Sequence, residues 1–131
     1  MSKIDTYRCI LRTLDEWDAF LLAESGLPGP RGNLELAKAV ACEGDRQLFE
    51  RYAACDAGQA PVNSPHEFLA FCGVLGLGRL LSDGDTSLLK PLRTHASDPR
   101  WRLREAVAMA LQLFGDRDMK ALLTEMQAWS C

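Results

Sequence analysis

Lys90, Arg93, Arg100, Arg102 and Arg104 crowd into one short stretch of the chain, with Trp101 among them. Cations interleaved with an aromatic ring can grip phosphates and stack a base, which is the chemistry of a nucleic-acid-binding face. Asp98 and Glu105 dilute the cluster. Arg100 and Arg104 stand at i, i+4 spacing, which puts two side chains on one face of a helix. The plainer expectation is a solvated face with an Asp98–Arg104 structural pair between helices. Gly73-Val74-Leu75-Gly76-Leu77-Gly78 has the outline of a glycine-rich phosphate loop, but no strand leads into it and it lies inside an apolar helical run. Close helix packing is its expected role, although each helix glycine costs about 1 kcal/mol relative to alanine. His66 and His95 are the only histidines, and neither has a partner at metal-ligand spacing, so both are expected at the surface and no metal site is expected. No local motif such as G-x-S-x-G marks a nucleophile, and no catalytic residue or cofactor is assigned. Asp15, Glu16 and Asp18 gather around Trp17, where they are expected to complement a helix N-terminus. The segment Leu27-Pro28-Gly29-Pro30-Arg31-Gly32-Asn33 reads as a rigid turn joining two layers, with a recognition loop as the alternative.

The elements that position these residues are bounded first by bulk composition. A chain of 131 residues suits one domain with one core. Hydrophobic residues at 47% and charged residues at 25% set aside the disordered and fibrous classes. A formal charge of -3 argues against a dedicated nucleic-acid binder, which carries a basic surplus. No run reaches the roughly 18–20 apolar residues of a membrane span, and Met1-Ser2-Lys3-Ile4-Asp5 lacks a signal-peptide layout, so a cytoplasmic protein with no membrane partner is expected. Cys9, Cys42, Cys55, Cys72 and Cys131 are odd in number and form no C-x-x-C pair, the usage of small hydrophobes in a reducing compartment.

Apolar spacing is helical nearly throughout, with Gly, Pro, Asp and Ser as punctuation. The first helical stretch spans about Lys3 to Glu24, with a break near Thr13, which would cap a second segment. Two prolines and three glycines make residues 25–32 a loop. Asn33 caps a helix to about Glu43, and Asp45 caps one to about Cys55. Ser64-Pro65 opens a helix to about Leu81, and Asp85 opens one to about Ala96. Asp98-Pro99 opens a helix to Phe114 that Gly115 stops, and Asp116 caps the last helix to about Trp129. The helices around Phe68–Leu81 and Leu103–Phe114 are apolar nearly all round and need cover on several sides.

Gly44-Asp45, Gly84-Asp85 and Gly115-Asp116 repeat one junction, 40 and then 31 residues apart, within the range of roughly 30–47 residues for helical repeats. The stretch from Leu88 to Asp116 resembles a HEAT repeat: Pro91 in the first helix, Asp98 in the turn, Leu103-Arg104 opening the second helix, and Ala106 and Ala110 where helices touch. The resemblance implies an all-α fold, a short right-handed α-solenoid of stacked antiparallel helix pairs. Its units would be about 3–43, 45–81 and 85–114, with a half unit over 116–130.

A helical array of this kind implies a binding scaffold for another protein or peptide rather than an enzyme. Arg93, Arg100, Trp101 and Arg104 are the expected surface contacts. The alternative is a nucleic-acid-binding protein, similar to the HEAT-like DNA alkylation-repair glycosylases, using the same basic face. The half unit leaves Leu122, Met126 and Trp129 as an expected hydrophobic interaction edge, open to a homodimer contact.

Overall fold

A computed structural model describes residues 1–130; of the five cysteines, Cys131 lies outside the described residues. Eight α-helices and no strand make up the described chain. They are α1 (Lys3–Thr13), α2 (Asp18–Ala23), α3 (Leu34–Glu43), α4 (Arg46–Ala53), α5 (Pro65–Ser82), α6 (Leu89–His95), α7 (Trp101–Arg117) and α8 (Met119–Trp129), with a 3-10 turn over Thr86–Leu88 before α6. No described helix is long and apolar enough to cross a membrane.

Capping side chains set most of the starts. Asn33 accepts the Leu36 N–H at 3.1 Å, Asp45 accepts that of Leu48 at 2.9 Å, and Ser64 accepts that of Glu67 at 3.3 Å. Pro65 follows Ser64 at the first helical position, where a missing N–H costs nothing. Four expected junctions differ. Asp98 caps no helix: its Oδ1 accepts the Arg100 N–H at 2.8 Å, and α7 begins only at Trp101, without a side-chain cap. Thr13 caps nothing, because its hydroxyl donates back to the Ile10 carbonyl, and the break falls between Leu14 and Trp17. Gly115 does not stop α7; it is helical and buried, and the space a side chain would fill is taken by Leu122. Asp116 is therefore inside α7, and the cap of α8 passes to Asp118, which accepts the Ala121 N–H at 3.0 Å.

The centre of the fold is α5. Every residue from Glu67 to Gly78 is buried, because α2, α3, α4, α6 and α7 all pack on it. The three glycines work as contact points rather than as a phosphate cradle. A Cβ on Gly73 would collide with α4 backbone, one on Gly76 with the Phe49 ring, and one on Gly78 with Ala110. The expectation for α7 was too apolar: it buries Leu103, Ala106, Val107, Ala110 and Phe114 on one face, while Ala108 and Leu113 are exposed. Pairwise, α1 packs on α3, α4 on α5 and α6 on α7, and α3, α5 and α7 follow one another side by side.

Polar ties hold the outer helices. Arg8 and Arg12 both close on Glu43 (2.7 and 2.8 Å), joining α1 to the end of α3. Asp18 accepts two hydrogen bonds from Arg51 and one from the Tyr52 hydroxyl at 2.6 Å, so it fixes α2 to α4 as well as supplying an N-terminal charge.

Candidate functional site

The segment 25–32 is one wall of a cavity. Gly26 makes the turn possible: its φ is +77°, and a Cβ there would stand 3.0 Å from the Arg31 carbonyl. Leu27 is turned inward and buried, and Ser25 holds the turn by accepting the Leu27 N–H at 3.1 Å. Opposite this wall stands the first turn of α7. Between them lies a cavity of about 230 Å³ with Leu27, Leu34, Phe68 and Phe71 as an apolar lining and Trp101 at its edge.

Four residues from distant parts of the chain form a closed ring of hydrogen bonds behind this cavity. The Gly29 N–H donates to Asn63 Oδ1 at 3.0 Å. The Asn63 N–H donates to Glu67 Oε1, also at 3.0 Å. Arg102 donates through Nη1 to that same Oε1 at 3.0 Å and through Nη2 to the Gly29 carbonyl at 2.9 Å. The Arg102 guanidinium also lies over the Trp101 ring, 4.5 Å from its centroid. The loop, the start of α5 and the start of α7 are thereby one polar unit, and Trp101 keeps 46% of its surface exposed at the cavity edge. The outer rim carries one cation, Arg31, and one anion, Glu105, both exposed and both without an ion-pair partner among the described residues.

The structure separates the residues of the basic cluster. Trp101, Arg93 and Arg104 are exposed. Arg100 is not a surface residue: it is 1% exposed, because Asp98 takes its Nε and Nη2 at 2.9 and 2.8 Å and the Ala60 carbonyl takes Nη1 at 3.1 Å. Asp98 therefore pairs with Arg100 and not with Arg104. Arg104 instead donates to the backbone carbonyls of Asp98 and Pro99, and it shares no exposed face with Arg100. The same Arg100 contact holds the Asp98 carboxyl below its ordinary range. Two of the five cations, Arg100 and Arg102, are thus buried and neutralised within the fold.

At the other end, Leu122, Met126 and Trp129 are each half-buried, and the Trp129 indole donates to Glu125 Oε1 at 2.8 Å. The outward apolar side chains of α8 are Met119 and Leu123, 55% and 58% exposed.

Cys55, His95 and Asp98 line a separate open cleft beneath α6. Its electrostatics oppose nucleophilic chemistry. Burial pushes the Cys55 thiol up, away from the thiolate, and burial also lowers the His95 imidazole, which is half-buried where the sequence suggested a surface residue. Asp98, the acid that would orient the histidine, is spent on Arg100. Among the described residues no cluster of His, Cys, Asp or Glu is arranged to hold a metal.

Glu67 and the inward turn of Leu27 are not foreseen from the sequence, and Arg31 is foreseen only as part of the alternative recognition loop. Glu67 did carry a signal: Ser64 followed by Glu three residues later is capping-box spacing. Its carboxylate reaches the Asn63 N–H instead of that of the cap residue, and from there Arg102. In comparisons with known proteins, no family model matches the chain, and no curated protein or solved structure shows a significant match to it.

Proposed function

We propose that this chain is a cytoplasmic binding module built as a HEAT-like helical array, and that it recognises a protein segment by taking one bulky apolar side chain into the cavity beside Trp101. The observation that carries this reading is the half-exposed Trp101 held at the edge of a preformed aromatic pocket. Aromatic anchors in fixed positions dominate the energetics of protein interfaces. A volume of about 230 Å³ is below the roughly 300–1,000 Å³ of small-molecule sites and suits a single large side chain. Arg31 and Glu105 at the rim offer one charge of each sign for orienting the flanking peptide.

The array reading is supported by the contact order. Pairs α1/α3, α4/α5 and α6/α7 pack internally, and their second members α3, α5 and α7 pack in series, which is how stacked helix pairs share one core. The basic-face alternative loses weight because Arg100 and Arg102 are consumed by Asp98 and Glu67, leaving a face of ordinary charge on an acidic chain.

Selection from a random peptide library against the immobilised chain tests the proposal. The expected result is a family of enriched peptides sharing one Leu, Phe or Trp anchor, bound roughly 30-fold more weakly by Trp101→Ala. Enrichment of no peptide sensitive to Trp101→Ala would defeat it.

A further inference from the structure

The two rim charges of the Trp101 pocket stand on rigid supports. The backbone around Arg31 is pinned on either side: Gly29 donates to Asn63 and accepts from Arg102, and the Asn33 N–H donates to the Ser25 carbonyl at 2.9 Å. Between those points the ring of Pro30 fixes its own φ. Glu105 lies on α7 one turn beyond Trp101, on the same stripe of the helix, and its neighbours Leu103 and Ala106 are buried. Binding therefore has two side chains to order rather than two segments. The third charge of the lining, Arg102, is neutralised by Glu67. What remains is one free cation on the loop wall and one free anion on the α7 wall, which sum to zero.

We propose that the occupant is an extended segment whose apolar anchor is flanked by two residues of opposite charge, a base toward α7 and an acid toward the loop, with Glu105 and Arg31 setting that specificity. This rests on the peptide reading above. A segment acidic on both sides would be repelled at Glu105, and one basic on both sides at Arg31. A docked helix would need a groove for several anchors one turn apart, whereas about 230 Å³ admits one side chain. In an extended segment the residues that share the anchor's face are the second before it and the second after it. The pattern is therefore charge, spacer, anchor, spacer, opposite charge, and the two walls fix its order for a given chain direction.

Peptide-library selection on the wild-type chain and on the Arg31→Glu, Glu105→Arg double variant tests this. Both side chains are exposed and the exchange leaves the net charge unchanged, so non-specific attraction is held constant, and an unchanged unfolding midpoint confirms the fold. The wild type is expected to enrich anchored peptides with flanks of opposite sign in one order, and the double variant to enrich the exchanged order. Arg31→Glu alone should weaken a wild-type-selected peptide roughly three- to tenfold, and most of that loss should vanish when the acidic flank is made neutral. Trp101-dependent peptides with no preference for charge, with flanks of one sign, or with the same order on both chains would overturn the charge assignment and leave the peptide reading standing. Absence of any Trp101-dependent peptide would overturn both.

Discussion

Arg102 and Glu67, 35 residues apart in sequence, meet through a hydrogen bond of 3.0 Å between two side chains that are 7% and 0% exposed. The pair fixes the relation of α5 to α7 and, through the Gly29 carbonyl, the loop that walls the pocket. Glu67 Oε2 is left buried without a donor, so the carboxylate depends on Arg102 and the Asn63 N–H for its compensation. Removing one member of such a pair costs about 3–5 kcal/mol, because the other charge stays buried. Arg102→Met and Glu67→Leu are each expected to destabilise on that scale, while the double variant recovers part of the loss, with a coupling of about 1–3 kcal/mol. Urea unfolding of all four proteins measures it, and strict additivity would contradict the account.

Arg100 and Arg104 look alike in sequence and are expected to behave differently. Arg100→Ala removes the cation and two of the three hydrogen bonds to the Asp98 carboxylate, leaving the backbone N–H of residue 100, and it strips the Ala60 carbonyl of its donor, so it should cost about 3 kcal/mol. Arg104 is exposed and touches only backbone carbonyls, so Arg104→Ala should stay within about 0.5 kcal/mol. Equal losses in thermal unfolding would refute the assignment of Arg100 to the interior.

Gly76→Ala should destabilise the chain despite the better helix propensity of alanine. The added methyl would overlap the buried Phe49 ring, and overpacking of this kind costs typically about 1–3 kcal/mol, against about 1 kcal/mol gained from propensity. Phe49→Leu in the same chain should relieve part of the overlap. A rise in the unfolding midpoint of Gly76→Ala alone would show that α4 and α5 are not in close contact there.

Stability should fall on acidification in two stages. Burial disfavours the His95 cation, so its folded pKa lies below the ordinary 6.5 and the unfolded chain takes up the proton first. Stability is then lost as pH falls below about 6.5. Arg12 first, and then Arg8, hold the Glu43 carboxyl down to about 2 from an ordinary 4.5. That stabilisation is complete above about 4.5 and disappears as pH falls toward 2. Melting temperatures from pH 7 to pH 3 check both stages. His95→Gln should flatten the upper stage, Glu43→Gln should weaken the lower one, and a wild-type midpoint that is level or rising from pH 7 to pH 5 would contradict the first.

Local chemistry made much of this legible from the sequence. Asn33, Asp45, Ser64 and Asp85 cap where a short polar residue precedes an apolar helical run, because the cap bond needs only the next two or three residues. The glycines of α5 were readable as contacts because a phosphate loop needs a strand that is missing. What failed was non-local. Gly115 looks like a stop, but Leu122 packs into the space it leaves, and that contact exists only once α8 folds back. Arg100 reads as a surface cation until the Ala60 carbonyl, 40 residues earlier, is brought against it. The pocket was illegible for the same reason, since its clasp joins Arg102 to Gly29 across 73 residues. The residues of the basic cluster were found, while the roles of two of its arginines were decided by partners elsewhere in the chain.

The most direct test of the proposed binding site is a double-mutant cycle between Trp101 and the anchor residue of a selected peptide. Affinities are measured for the wild-type chain and Trp101→Ala, each with the peptide and with its anchor replaced by alanine. The account predicts a coupling of about 1–3 kcal/mol, with an unfolding midpoint unchanged by Trp101→Ala. Zero coupling, with peptide affinity indifferent to Trp101, would place the binding face elsewhere on the molecule.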